Sequence, residues 1–332
     1  MLIATLMKTP RGSMIGVGLL LLAAIYGAGC NSTPSAPTPP PPPIAEPPQL
    51  SCPEAVTVSA RTSSGADVSY SVPESRNGQG TVSVACTPPP GSRFPVGVTT
   101  AECVATDSLN RTGSCTFSVT VAAPPRLRAS RIMAFGDSLT EGQTITSNDP
   151  YDLSAPPATS YPTVLGQLLS ARYNDQTVTV FNRGKPGEQA SRALSRFIAT
   201  FVADAPDVVV LMEGYNDVAQ EPNDVVGIAN AIAGVTELAA EARRRGARVF
   251  ICTLAPSRLG RIAIQRSTLD FINERLRQVA RSEGAVLVDV FNALLPEVNA
   301  NVSIDGLHLT PLGYRRVAET VFAAIRAELE IR

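Results

Sequence analysis

The chain has a single histidine, His308, placed three positions after Asp305 in the stretch DGLHLTPLGY, residues 305–314. An imidazole titrates near pH 6.5, so it can accept and return a proton at neutral pH. A carboxylate three residues away in a turn can hold the second ring nitrogen and stabilise the imidazolium. The dyad needs a nucleophile, and Ser138 of Gly136-Asp137-Ser138 is the candidate, because a hydroxyl attacks well only beside a base. A carbonyl that becomes tetrahedral puts negative charge on its oxygen, which fixed donors must meet. The backbone N–H groups of Ser138 and Gly184 and the side-chain amide of Asn216 would supply three. Taken singly, each piece has a plain reading. GDS can cap a helix, NRGKPG can be a turn, YND an Asx turn, and a lone histidine a surface or core residue. Jointly they supply a nucleophile, a base, an orienting acid and oxyanion donors, provided one fold edge gathers them.

The elements from about residue 129 onward provide that edge. RIMAF, TVTVF, DVVVLM, ARVFICTL and AVLVDV are short apolar, β-branched runs, separated by helical stretches around 160–172, 188–203, 224–245 and 266–282. A last helix starts near Pro311, with Thr310 as its cap. Apolar strands buried on both faces, with a helix between each pair, predict a parallel sheet in a three-layer α/β sandwich. In such a sheet the carboxyl ends of the strands share one rim, where ligands bind. Gly136-Asp137-Ser138, Asn182-Arg183-Gly184 and Glu213-Gly214-Tyr215-Asn216-Asp217 follow strands, and Asp305–His308 follows the last strand after a loop, so the turns share that rim. Cys252 falls inside a strand and reads as a small buried hydrophobe.

The rest of the chain is organised differently. The formal charge is −1 with no basic stripe, which argues against a nucleic-acid partner. One histidine and scattered cysteines cannot assemble an imidazole or thiolate metal site, and no cofactor is expected. Lys8 and Arg11 precede an apolar run from Met14 to about Gly29, which suits a signal peptide over residues 1–29 and an exported protein. Residues 30–48 include PSAPTPPPPPIAEPP, a polyproline II spacer that would reach about 45 Å at ~3.1 Å per residue. Residues 49–123 alternate in short stretches such as AVTVSA, DVSYSV, TVSVAC and CTFSVTV, which predict strands. Cys52, Cys86, Cys103 and Cys115 all lie there, which implies two disulfides with three pairings open.

Three resemblances add to these readings. FGDSLTEG, NRGKPG, GYND and DGLHLTPLG occur in order over residues 131–316 and resemble the sequence blocks of the GDSL or SGNH hydrolase family. The resemblance implies a domain over 129–332 with a flavodoxin-like sandwich of five parallel strands. It also implies a triad of Ser138, His308 and Asp305, and an oxyanion hole of Ser138, Gly184 and Asn216. The α/β-hydrolase elbow G-x-S-x-G is not met, since Thr140 stands at its second glycine. The segment SCP and the run from Cys86 to Val121 resemble the hyalin-repeat (HYR) module, an immunoglobulin-like β-sandwich. That likeness implies the pairs Cys86–Cys103 and Cys52–Cys115. YGAGC resembles a bacterial lipobox with Gly27 where leucine is usual, which implies lipid on Cys30 and membrane attachment at the cell envelope.

Members of the hydrolase family act on many esters, so the resemblance implies ester hydrolysis and leaves the acyl group open. Export and a non-catalytic β-sandwich favour small-acyl or carbohydrate esters. Lysophospholipase, lipase or thioesterase activity is the alternative. A surface adhesion or spacer protein with an inactive hydrolase domain is a second one. The polar insertion at 143–160, QTITSNDPYDLSAPPATS, is expected either to wall the pocket opposite Tyr215 or to be a solvated loop.

Overall fold

Alternating sequence in the first segment produces strands with one face inward. In the computed structural model, which describes residues 45–149, 151–221 and 224–331, these are β1 (Val56–Ser59), β2 (Ser83–Thr87), β3 (Gly97–Thr106) and β4 (Thr112–Ala122). They form one sheet in the order β1-β4-β3-β2, with β1 parallel to β4 and the other pairs antiparallel. Phe117, Val119 and Val121 of β4 and Ala101 and Cys103 of β3 point into a small core with Val68 and Phe94. Of the expected strand 67–72, only Asp67 is in a ladder, where Ala66–Asp67 pairs with Arg93–Phe94. The disulfides are Cys86–Cys103, between directly opposed residues of β2 and β3, and Cys52–Cys115. The signal peptide expected at 1–29, Cys30 and the spacer up to residue 44 lie outside the described residues.

The second segment builds the expected parallel sheet. Its strands are β5 (Arg131–Gly136), β6 (Thr179–Gly184), β7 (Val208–Met212), β8 (Arg248–Cys252) and β9 (Val286–Val288), in the order β6-β5-β7-β8-β9. This flavodoxin-like order reverses direction at β5, so a crevice opens between the ends of β5 and β7. The three inner strands are buried almost throughout, whereas β6, at an edge with one neighbour, is half-exposed and carries Arg183 paired to Asp204. The expectation of strands buried on both faces therefore holds for the centre and not for the edge. Cys252 is a free, buried thiol pushed up to about 12 by burial.

Helices cover both faces. They are α1 (Ser138–Glu141), α2 (Tyr161–Arg172), α3 (Leu194–Asp204), α4 (Tyr215–Ala219), α5 (Asp224–Arg244), α6 (Arg266–Ser282), α7 (Val290–Leu294), α8 (Val298–Asn301) and α9 (Pro311–Leu329). α2 packs on α9, while α5 packs on α3 and α6. The helix expected from 188 starts at Leu194, because the Ala190 and Ser191 N–H groups donate to Asp217 across the rim. After β4 the connector pairs Arg126–Leu127 with Glu330–Ile331, tying it to the end of α9.

Closing a loop of 63 residues, the Cys52–Cys115 bridge stabilises the β-rich segment by about 4 kcal/mol through lost unfolded-chain entropy. Cys52→Ala/Cys115→Ala should therefore lower the temperature at which this segment unfolds in scanning calorimetry. An unchanged transition would contradict that estimate.

Candidate active site

Four rim turns meet at the β5/β7 crevice. Ser138 opens α1 directly after β5, and the Asp137 side chain caps that helix by accepting from Leu139 N at 2.9 Å. His308 lies on the loop before α9, where Thr310 caps the helix by accepting from Gly313 N. Ser138 Oγ and His308 Nε2 are 3.0 Å apart, and His308 Nδ1 is 2.6 Å from Asp305 Oδ2. All three residues are buried.

The loop makes this geometry hard to alter. Asp305 Oδ1 accepts from the N–H groups of Leu307 and His308, each at 3.1 Å, and Asp305 O accepts from Ile262 N at 2.9 Å. Gly306 has φ +94°, and a Cβ there would lie 2.8 Å from Arg258 O, so a side chain would face both strain and a clash. Burial alone would push the Asp305 carboxyl up. Hydrogen bonds from the His308 ring and the Leu307 N–H outweigh it and hold the group below the usual carboxylate range. An ionised Asp305 requires the proton on Nδ1, which leaves Nε2 as the acceptor for the Ser138 hydroxyl.

The expected oxyanion donors are placed unequally. Asn216, in α4, donates one amide hydrogen to Asp137 Oδ2 at 3.2 Å, and its Oδ1 accepts from Gln220 Nε2 at 3.2 Å. These partners fix which way the amide faces and leave its second hydrogen unassigned. The Gly184 N–H is engaged with Asn182 Oδ1 at 3.0 Å, so it is not the free donor expected from the turn. Gly184 itself is pressed against α1: a Cβ would lie 2.0 Å from Glu141 N.

Tyr215 requires a correction. It is 1% exposed, and its hydroxyl joins Ser257 Oγ at 2.7 Å, donates to Ile262 O and accepts from Ile264 N. It braces the 257–264 loop, whose Ile262 N–H reaches Asp305 O, and is closed off from solvent. The insertion at 143–160 contains a small hairpin, Thr144–Ile145 with Leu153–Ser154, and a turn at Pro157–Thr159. Ile145 and Ser147 line a recess of about 140 Å³ with Arg258 and Val302–Ile304, beside the His308 loop. Tyr151 is 70% exposed, with the Arg261 guanidinium 4.4 Å from its ring centre.

Three residues assigned no role of their own from sequence support the rim. Arg196 pairs with Glu188, donates to Arg183 O at 2.9 Å and Gly136 O at 3.3 Å, and lies 3.9 Å from the centre of the Phe135 ring. It thus ties the ends of β5 and β6 together from below. Asp137 and Glu213 are each 2% exposed, and both Glu213 carboxyl oxygens lack a hydrogen-bond partner. Asp137 was visible in sequence as part of GDS. Arg196 was not, because nothing local distinguishes it from a helix-surface arginine. Among the described residues no cluster of three or more His, Cys, Asp or Glu is placed to hold a metal.

A parallel α/β sandwich with a serine, an imidazole and a carboxylate linked at the carboxyl rim is the arrangement of a hydrolase. Residues 134–316 match the GDSL-like Lipase/Acylhydrolase family, and the chain belongs to it. Residues 45–121 match the HYR domain. Among solved structures, LAE5, an alpha/beta hydrolase enzyme from the metagenome of Lake Arreo, Spain, has a TM-score of 0.50 at 23% identity, covering 59% of this chain and 94% of its own. The lipase/acylhydrolase from Enterococcus faecalis has a TM-score of 0.50 at 21% identity, covering 60% and 97%. These likenesses show the fold. No curated protein matches the chain.

Burial pushes the Asp137 carboxyl up to about 7 and the Glu213 carboxyl well above the usual range. The folded state then holds protons that the unfolded chain releases, so stability contributed below about pH 4.5 is lost as pH rises through 7 and beyond. Glu213→Gln should melt higher than the parent at pH 8 and no higher at pH 4. An equal difference at both pH values would contradict this. Gly184→Ala should lower the unfolding free energy by about 2 kcal/mol in urea titration, because α1 must shift.

Proposed function

We propose that this protein is an exported serine esterase that hydrolyses carboxylic esters of short acyl groups, carried on small alcohols or on carbohydrate hydroxyls. The reading rests on one observation above the others, the continuous hydrogen-bonded line from Ser138 Oγ through His308 to Asp305. In the proposed reaction His308 Nε2 takes the Ser138 proton while Oγ forms a bond to the ester carbonyl carbon. Asp305 faces the resulting imidazolium. The carbonyl oxygen becomes an oxyanion, met by the Ser138 N–H, the second amide hydrogen of Asn216 and the Gly184 N–H once Asn182 turns aside. His308 then returns the proton to the departing alcohol, leaving an acyl group on Ser138. Water, deprotonated by the same imidazole, attacks the acyl carbon, and the carboxylic acid leaves as Ser138 regains its proton.

Two disulfides and an HYR module suit an oxidising, extracellular setting. Membrane attachment through Cys30 belongs to the same proposal, and mass spectrometry of the mature N-terminus tests it. The division into a β-sandwich at 49–123 and a hydrolase domain at 129–332, the former outside the chemistry, does so as well.

A fluorophosphonate probe should label Ser138 in the folded protein. Ser138→Ala should abolish hydrolysis of p-nitrophenyl acetate while the melting temperature stays nearly constant, and Asn216→Ala should lower kcat by roughly 10² to 10³. An unlabelled Ser138 would return the chain to the adhesion or spacer reading. Faster turnover of lysophospholipid than of p-nitrophenyl acetate or acetylated xylan would overturn the substrate class.

A further inference from the structure

Glu213 is a buried carboxyl that the proposed reaction does not use. It follows Met212, the last residue of β7, and Met212 is in register with Gly136 at the end of β5. Parallel neighbours lie about 4.8 Å apart, so Asp137 and Glu213 leave the sheet side by side. Their surroundings differ. Asp137 accepts from Leu139 N and from the Asn216 amide, and it faces His308. Glu213 has no hydrogen-bond partner on either oxygen. A buried acid without donors is far less costly neutral than charged, and charging it beside Asp137 would place two negative groups at adjoining strand ends.

We propose that Glu213 is a positioning residue: its neutral carboxyl keeps the Asp137–Glu213 pair from carrying more than one negative charge, so that Asp137 holds the Asn216 amide toward the oxyanion. The inference rests on the ester-hydrolysis reading and extends it. With Asp137 on one side and Gln220 on the other, the Asn216 amide has one orientation and one remaining hydrogen. A second charge, on Glu213, would oppose the negative charge that develops on the substrate oxygen in the same buried volume.

The other groups facing the pair come from every side. Around Glu213 are Glu188, Arg196, Asp217 and Tyr161, while Tyr161, Tyr215, Tyr314, Asp217 and His308 act on or feel Asp137. Among the described residues Arg196 is the cation that acts on Glu213, and it is already engaged by Glu188. Burial and the neighbouring carboxylates therefore dominate, and the proton stays on Glu213 through neutral pH. When it is finally lost, kcat should fall at alkaline pH with little change in KM.

The experiment compares pH profiles of kcat for p-nitrophenyl acetate in the parent, Glu213→Gln and Glu213→Asp, with circular dichroism confirming that each is folded. The parent should lose at least tenfold in kcat along its alkaline limb. Glu213→Gln, which cannot ionise, should shift that limb upward by one pH unit or more, while Glu213→Asp should keep it. A folded Glu213→Gln with the parent's profile overturns the proposal. If Glu213→Gln does not fold, infrared spectroscopy of the parent and of Glu213→Asp at pH 8, above the Asp137 titration, decides: a protonated-carboxyl band supports the proposal and its absence in the parent sinks it. A parent that neither turns over ester nor takes the fluorophosphonate label instead defeats the esterase reading, which the infrared band does not depend on.

Discussion

Three polar side chains buried together must satisfy one another, and Asp305, His308 and Ser138 do so in one line. Asp305 is the anchor. It receives two backbone N–H groups from its own turn and the ring proton of His308, and its carbonyl takes a third N–H from Ile262. Remove that carboxylate and the imidazole loses both its tautomer and its direction. The glycine at 306, the Tyr215 brace and the Thr310 cap of α9 all keep this one turn in place.

The rim is a property of the sheet as much as of the loops. Parallel strands end together, and the order β6-β5-β7-β8-β9 opens a crevice where Ser138 and Asn216 emerge from neighbouring strands. Close backbone approach holds it shut from below. Gly184 lies against α1, and Arg196 threads beneath β5 and β6 to reach two carbonyls and Glu188. Asp217 reaches across to the Ala190 and Ser191 N–H groups, which binds two of the turns to each other. Buried polar atoms are costly when unpaired, so these mutual bonds give the rim one arrangement.

The β-rich segment solves a different problem. A unit of this size has a modest core, here around Phe94, Phe117 and Val119, and two covalent bridges compensate for the limited apolar burial. The larger segment needs no such bridge. Its central strands are buried almost throughout, and its one free cysteine is simply part of that core.

Much was legible in the chain itself. Strand type follows from short β-branched runs, helix positions from the spacing between them, and the closeness of Asp305 to His308 from a separation of three residues, because all of these depend on local chemistry. What sequence could not decide was long-range. Ser138 and His308 are 170 positions apart, and only the sheet order brings them to 3.0 Å. Tyr215 read as a pocket residue and is a buried brace, since burial depends on what the distant 257–264 loop covers. The Gly184 N–H read as a free donor and is taken by Asn182, a choice of backbone conformation within the turn. Glu213 looked like one more polar rim residue. Its isolation became visible only when the neighbouring strand placed Asp137 beside it and no donor bonded to either of its oxygens. Composition and spacing thus determined the elements and the chemical groups available, whereas tertiary packing decided which groups meet, which are shielded from water and which are left without a partner.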